Sequence, residues 1–151
     1  MLTNKAKYGL RAMCALASSE ETWLQAHAIS ERANVPQKFL ETILVDLRRA
    51  GFVDSRRGQL GGHALAKPVD QIMVGDLIRA IDGPLAPVLC ASMTEYAPCA
   101  DCRDPEHCAV RELMRETRAA LSGVLDHCSL HSLAQRSSTP PKRSRARGGT
   151  R

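Results

Sequence analysis

Apolar residues recur along the first 50 positions with the rhythm of helices. Leu10, Met13, Cys14 and Ala17 fall at i, i+3, i+4 and i+7, the spacing that collects side chains on one buried face. With Thr3 or Asn4 as its cap, this pattern predicts a first helix over 5–18. A second helix is predicted over 24–33, through Leu24, Ala28 and Ile29, and Asn34-Val35-Pro36 interrupts it. Pro36 suits the first position of a third helix over 36–50, which Gly51 ends as a C-terminal cap. That helix buries Leu40, Ile43, Leu44 and Leu47 and leaves Gln37, Lys38, Glu41, Thr42, Asp46, Arg48 and Arg49 more exposed.

The rhythm then changes. Residues 52–65 read as strand, turn and strand, with Gly58, Gly61 and Gly62 at a tip that tolerates positive φ. Helical spacing returns over 74–82, where Leu77, Ile78 and Ile81 share one side, and Gly83-Pro84 stops it. Asp104-Pro105-Glu106 predicts a helix start: an Asp cap, Pro at the first position and Glu at the positive dipole end. From there Val110, Leu113, Met114, Thr117, Leu121, Val124, Leu125 and Cys128 keep one apolar stripe. A helix of about 24 residues, and so ~36 Å long, follows. Its single stripe calls for a partner, and a twofold-related copy of the chain supplies one economically.

Composition supports helices. Two Phe, two Tyr and one Trp in 151 residues leave the core to aliphatic side chains. The charge is unevenly placed: residues 1–67 hold ten Lys/Arg against six Asp/Glu, 68–134 five against ten, and 135–151 six against none. A basic front half points to an anionic partner. The tail 135–151 has no acid and no large apolar side chain, which predicts disorder and salt-sensitive phosphate binding. No apolar run approaches the ~20 residues that span a bilayer, so a cytoplasmic chain without membrane attachment is expected.

Two short helices joined by a tight turn are the helix-turn-helix arrangement, whose second helix enters the major groove. A basic hairpin directly after it, with Arg56 and Arg57 beside Gly58, is a wing suited to phosphate or the minor groove. The expected fold is therefore mainly α: a winged helix-turn-helix domain with a small two-stranded β wing plus a long C-terminal dimerisation helix. Its parts are the DNA-binding domain 1–83, a cysteine-rich sensing loop 84–104, the dimerisation helix 105–134 and the basic tail 135–151. The candidate DNA contacts are Gln37, Lys38, Glu41, Thr42, Arg48, Arg49, Arg56, Arg57 and Gly58. As a homodimer the protein would read a palindromic operator on double-stranded DNA.

Six cysteines in a reducing compartment are seldom a disulfide framework. Four of them, Cys90, Cys99, Cys102 and Cys108, fall in one loop with the spacing C-x8-C-x2-C-x5-C. Three chemistries compete. Structural zinc commonly takes two close pairs, and only Cys99/Cys102 is one. An iron–sulfur cluster tolerates varied spacings. A thiol switch needs only two cysteines that can meet. Cys108, in the first turn predicted after Asp104, would have its thiolate favoured by unpaired N–H groups. Cys14 and Cys128 lie on apolar faces and read as structural. No catalytic triad, carboxylate pair or phosphate-binding loop is present, so an enzyme is not expected. The competing class is a small redox or iron–sulfur carrier, or a zinc-stabilised regulator without sensing.

The stretches NKAKYGLRAM, ISERANVPQKFLETILVDLRRAGFV and SRRGQLGGHALAKP resemble the Rrf2 family of bacterial winged-helix regulators. That family includes the iron–sulfur cluster regulator and the nitric-oxide- and iron-responsive repressors. The resemblance covers about residues 1–134. It implies a dimeric transcription regulator whose third helix reads bases, with Arg57 in the minor groove and Glu41 tuning sequence preference. His63 stands where a tyrosine is usual. It also implies an iron–sulfur cluster, [2Fe-2S] or [4Fe-4S], held by Cys90, Cys99, Cys102 and Cys108. Cluster-binding members carry three loop cysteines, usually spaced C-x5-C-x5-C, and Cys102 and Cys108 reproduce the second interval. Tyr96 stands at the first position, so Cys90 or Cys99 supplies the third ligand. Arg111 and Lys7 occupy the places of the family's histidine and aspartate ligands, leaving the remaining loop cysteine or His107 as the fourth.

Overall fold

The computed structural model describes residues 2–138. Helices α1 (Asn4–Ala17), α2 (Ala26–Ala33) and α3 (Gln37–Arg49) precede strands β1 (Val53–Arg56) and β2 (Gly62–Leu65). Helix α4 (Val74–Asp82), a short 3-10 turn at Leu89–Ala91, and helices α5 (Ala109–Leu125) and α6 (Leu130–Ser138) complete the order. The strands form one antiparallel pair with Val53 opposite Leu65 and Arg56 opposite Gly62. The expected mainly helical architecture with a two-stranded wing is what the structure shows.

The N-terminal helices form because their apolar stripes meet. Met13, Leu40, Ile43, Leu44, Leu47, Ile72, Leu77 and Leu130 bury completely or nearly so in one core. Gly9 permits the close approach of α4, since a Cβ there would sit 2.3 Å from Ile81 Cδ1. Thr3 caps α1 by accepting from the Ala6 N–H at 3.2 Å, and its own N–H donates to Asp82 at the far end of α4. Helix α3 ends at Gly51 (φ 79°): Phe52 N–H reaches Leu47 O and Gly51 N–H reaches Arg48 O. This is the glycine-terminated closure expected at that position.

Several sequence-based boundaries are corrected. The second helix begins at Ala26, not at 24, because Leu24 exchanges both backbone hydrogen bonds with His63 of the wing (2.9 and 2.7 Å). Pro36 is the cap of α3 and not its first residue. Asp104 does not open the long helix; its carboxylate accepts from Glu106 and His107 N–H and closes a separate turn. Cys108 is therefore the N-cap of α5 rather than a first-turn residue.

The single long helix divides in two. Helix α5 has 17 residues, about 26 Å at 1.5 Å per residue. It stops because the chain at 126–130 is captured by the other end of the domain. Arg79 of α4 grips Asp126 through two hydrogen bonds of 2.7 and 2.8 Å. Val74 N–H donates to Cys128 O and Leu130 N–H to Ile72 O. The chain then runs back as α6, whose Leu130 enters the main core and whose Leu133 packs beside Val74, Ile78 and Cys128. Residues 135–138, expected in a disordered tail, belong to α6; the rest of that tail lies outside the described residues.

The Arg79 hydrogen bonds hold the Asp126 carboxyl below the usual carboxylate range, and Asp126 in turn raises Arg79. A carboxylate depressed on folding contributes stability that is complete above its unfolded pKa, ~3.9, and is lost as pH falls through the folded value. About a third of each side chain stays exposed, so solvent screening keeps the contribution near 1 kcal/mol. Arg79→Ala is expected to lower Tm at pH 7, with the gap to the unsubstituted protein narrowing as pH falls and Asp126 takes up its proton, as thermal unfolding along a pH series would read.

Candidate nucleic-acid interface and cysteine loop

The turn between α2 and α3 is built at Asn34, in the left-handed region (φ 51°). Val35 N–H reaches back to Ser30 O at 3.0 Å, while Ser30 Oγ donates to Val35 O at 2.6 Å. Val35 is buried, and this pins the angle between the two helices. The outer face of α3 presents Gln37, Lys38, Glu41 and Thr42, all exposed, with Arg48 and Arg49 in its last turn. Gln37 Nε2 lies 3.4 Å from Glu41 Oε1. Phe39, half exposed, lies on the same helix, with the Tyr8 ring 6.1 Å from its own and the Lys38 ammonium 4.8 Å from its ring centre. Sequence reasoning missed Phe39, and its only signal was an aromatic residue among polar ones.

The wing projects beside α3. Arg56, Arg57 and Gly58 are exposed, and Arg48, Arg56, Arg57 and Trp23 border a hollow of about 830 Å³. Leu60 at the tip is 87% exposed, an apolar side chain offered to whatever the wing meets. Ser55 and His63 face each other across the strands with Oγ and Nδ1 2.9 Å apart. Burial lowers the His63 pKa, which keeps the ring uncharged at neutral pH. All nine candidate DNA contacts thus lie on α3 or on the hairpin that follows it. This surface has the two parts that duplex recognition needs, a helix face and a cationic grip.

The four loop cysteines are free thiols: Cys90 is buried, Cys99 exposed, and Cys102 and Cys108 lie between. They lie near one another: Cys99 has Cys90 and then Cys102 as neighbours, and Cys102 has Cys108 and then Cys90. The neighbouring Cys90 side chain, with lesser contributions from burial, Cys102 and Asp101, holds Cys99 above the ordinary thiol range. Cys102 is raised by burial and then by Cys108, its hydrogen-bond partner. An iron–sulfur cluster requires three or four thiolates aimed at one point. Among the described residues no three His, Cys, Asp or Glu side chains converge in that way. The donor chemistry is right for a cluster, but its arrangement in this conformation is not. His107 is turned to Asp104, with Nδ1 2.8 Å from the carboxylate.

The loop is fastened to α5 by two arginines. Arg111 Nε donates to Cys90 O at 2.9 Å, its NH1 donates to Pro105 O at 2.8 Å, and the guanidinium lies over the Tyr96 ring. Arg118 NH1 donates to Ala91 O at 3.0 Å. Arg111, read from sequence as a missing ligand, is the clasp that joins both ends of the cysteine loop. Only its place in the family's ligand pattern hinted at a role.

The sequence pattern of Rrf2, described as iron-dependent transcriptional regulators, matches residues 2–136. The chain belongs to the Rrf2 family. An rrf2-like HTH-type regulator of Rhodobacter capsulatus is 38% identical over 88% of this chain and 91% of its own. Among solved structures, CymR, the global cysteine regulator of Bacillus subtilis, has a TM-score of 0.72 at 35% identity, covering 93% of this chain and 98% of that one. IscR of T. potens has a TM-score of 0.68 at 27% identity, over 91% and 88%. Rrf2 proteins are DNA-binding transcription regulators and not enzymes, which removes the carrier alternative. No helix among the described residues is long and apolar enough to cross a membrane.

The neighbouring thiols make a kinetic prediction. Cys99 is exposed, its pKa is raised by the neighbouring Cys90, and only the thiolate reacts. Cys90→Ala is expected to speed alkylation of Cys99 by iodoacetamide at pH 8, measured by peptide mass spectrometry.

Proposed function

We propose that this Rrf2 regulator binds a palindromic operator as a cytoplasmic homodimer and that thiol oxidation in the cysteine loop sets its affinity. The observation that carries the sensing part is the clasp: Cys90 O is bound by Arg111 of α5, so an event at Cys90 reaches that helix. Gln37, Lys38, Glu41 and Thr42 face the major groove in this reading. Arg48 and Arg49 meet phosphate, and the wing residues Arg56, Arg57 and Gly58 meet phosphate or the minor groove.

The homodimer is supported by what α5 leaves uncovered. Val110, Leu113, Leu121 and Val124 are 42–67% exposed along it. A groove of about 560 Å³ runs between α5 and the segment 84–89. A second copy laid on this stripe removes that apolar surface from water, worth roughly 25 cal/mol per Å². In this reading the two α3 helices would meet successive turns of one duplex face.

The chemical step is a dithiol–disulfide exchange of electrons. Cys90 and Cys99 lose two protons and two electrons, a sulfur–sulfur bond forms, and a peroxide supplied as oxidant is reduced to water. Shortening the distance between residues 90 and 99 draws on the Cys90 backbone that Arg111 holds. A disulfide changes DNA affinity only if the two redox states differ in DNA-competent geometry.

A second reading, a cluster held by Cys90, Cys99, Cys102 and Cys108, is favoured by four thiols on one loop and by the family's iron-dependent description. It requires these sulfurs to converge more closely on one point than they do here. Protein purified without oxygen separates the readings: broad visible absorption with iron and sulfide would favour the cluster, whereas a colourless protein with four titratable loop thiols is expected.

Two measurements follow. Peroxide treatment is expected to change affinity for the promoter region of the protein's own gene in the unsubstituted chain and not in Cys99→Ser, by fluorescence anisotropy; equal responses would remove the thiol reading. Arg57→Ala is expected to weaken binding roughly tenfold and to reduce the salt slope by about one, and an unchanged affinity would argue against the wing contact.

A further inference from the structure

The wing tip is held from outside the wing. Residues 57–61 join β1 to β2, and within them Gly61 N–H donates to Gly58 O at 3.1 Å. The other polar ties come from Gln25. This residue is the N-cap of α2, yet its side chain makes no capping bond. Its Nε2 instead points at three carbonyls of the tip: Gly61 at 3.0 Å, Gln59 at 3.3 Å and Gly58 at 3.4 Å. An amide has two N–H groups, so the three acceptors share them.

The neighbouring backbone shows that this contact is built in. Leu24 exchanges two hydrogen bonds with His63, adding a one-residue third strand to the hairpin. Gly62 makes that approach possible, since it has φ 132° and a Cβ there would lie 2.4 Å from Leu24 O. Gly61 is equally close to the Arg56 carbonyl, at 2.1 Å for the same imagined atom. The tip is thus folded down on the start of α2, with Arg56 and Arg57 exposed and bordering the same hollow as Gln25.

We propose that Gln25 is a positioning residue for DNA binding, which gathers the wing-tip carbonyls and thereby fixes the direction in which Arg57 is offered to the duplex. Two effects combine. Carbonyl oxygens are partial negative charges that repel phosphate, and Gln25 engages those of the tip. A tip ordered before binding does not have to be ordered during it, which favours association. Gln25 also belongs to the first helix of the helix-turn-helix, so the wing and α3 keep one fixed relation. The inference rests on the wing contact proposed above.

The test is a double-mutant cycle between Gln25 and Arg57. Gln25→Ala and the near-isosteric Gln25→Met are made alone and with Arg57→Ala. Affinity is read by anisotropy with a labelled duplex carrying the promoter region of the protein's own gene. Each Gln25 variant is expected to weaken binding about fivefold, the worth of one net hydrogen bond, and to have little further effect once Arg57 is alanine. A loss of the same size in both backgrounds would overturn the positioning role and leave a general structural one. Full affinity in both Gln25 variants would overturn it as well. If Arg57→Ala alone leaves affinity unchanged, the wing contact itself fails and takes this inference with it.

Discussion

Helix α5 is tied to the rest of the chain by three arginines. Arg111 and Arg118 near its start and middle bind the carbonyls of Cys90, Pro105 and Ala91, and Arg79 of α4 binds Asp126 at its end. None of its 17 residues is fully buried. A guanidinium suits this work because its planar fork offers five donors and can hold two carbonyls in one geometry. The consequence is mechanical. A close-packed helix resists displacement because neighbours interlock with it, whereas one held by a few polar ties moves as a body when a tie changes.

The DNA-binding end is built the opposite way. Helices α1, α3 and α4 share a dense aliphatic core that α6 completes with Leu130. The α2–α3 turn is pinned by Val35 and Ser30, and the wing is stitched to Leu24 and Gln25. A firm reading head and a polar-tied helix meet at α4, which packs on α1 through Gly9 and Ile81 and holds α5 through Arg79. That chain of contacts is contiguous from Cys90 to α3, and in the proposed reading it gives a change in the loop a physical route to the DNA contacts.

The helix-turn-helix and the wing were legible in sequence because local signals and tertiary packing agree there. Apolar spacing marks α1 and α3, Gly51 sits where a left-handed residue is needed, and glycines mark the hairpin. The failures share a different cause. Leu24 has a helical neighbourhood, but its backbone is taken by His63, 39 positions later in the chain. Cys128 continues the apolar phase of α5, so nothing local announced the break; Arg79 and the backbone of 72–74 impose it from some 50 positions away. Asp104-Pro105 carries every sign of a helix start and closes a turn instead. The cysteine spacing marked the four loop thiols but could not show which of them lie beside which, since that depends on how the loop folds.

The central claim is that the state of the cysteine loop reaches the DNA-binding surface through the arginine clasp. The most direct test is the ratio of DNA affinities between reduced and peroxide-oxidised protein in an Arg111→Ala/Arg118→Ala variant. The account predicts that the ratio falls to near one, because oxidation still closes the disulfide but no longer pulls on α5. A ratio as large as that of the unsubstituted protein would contradict it.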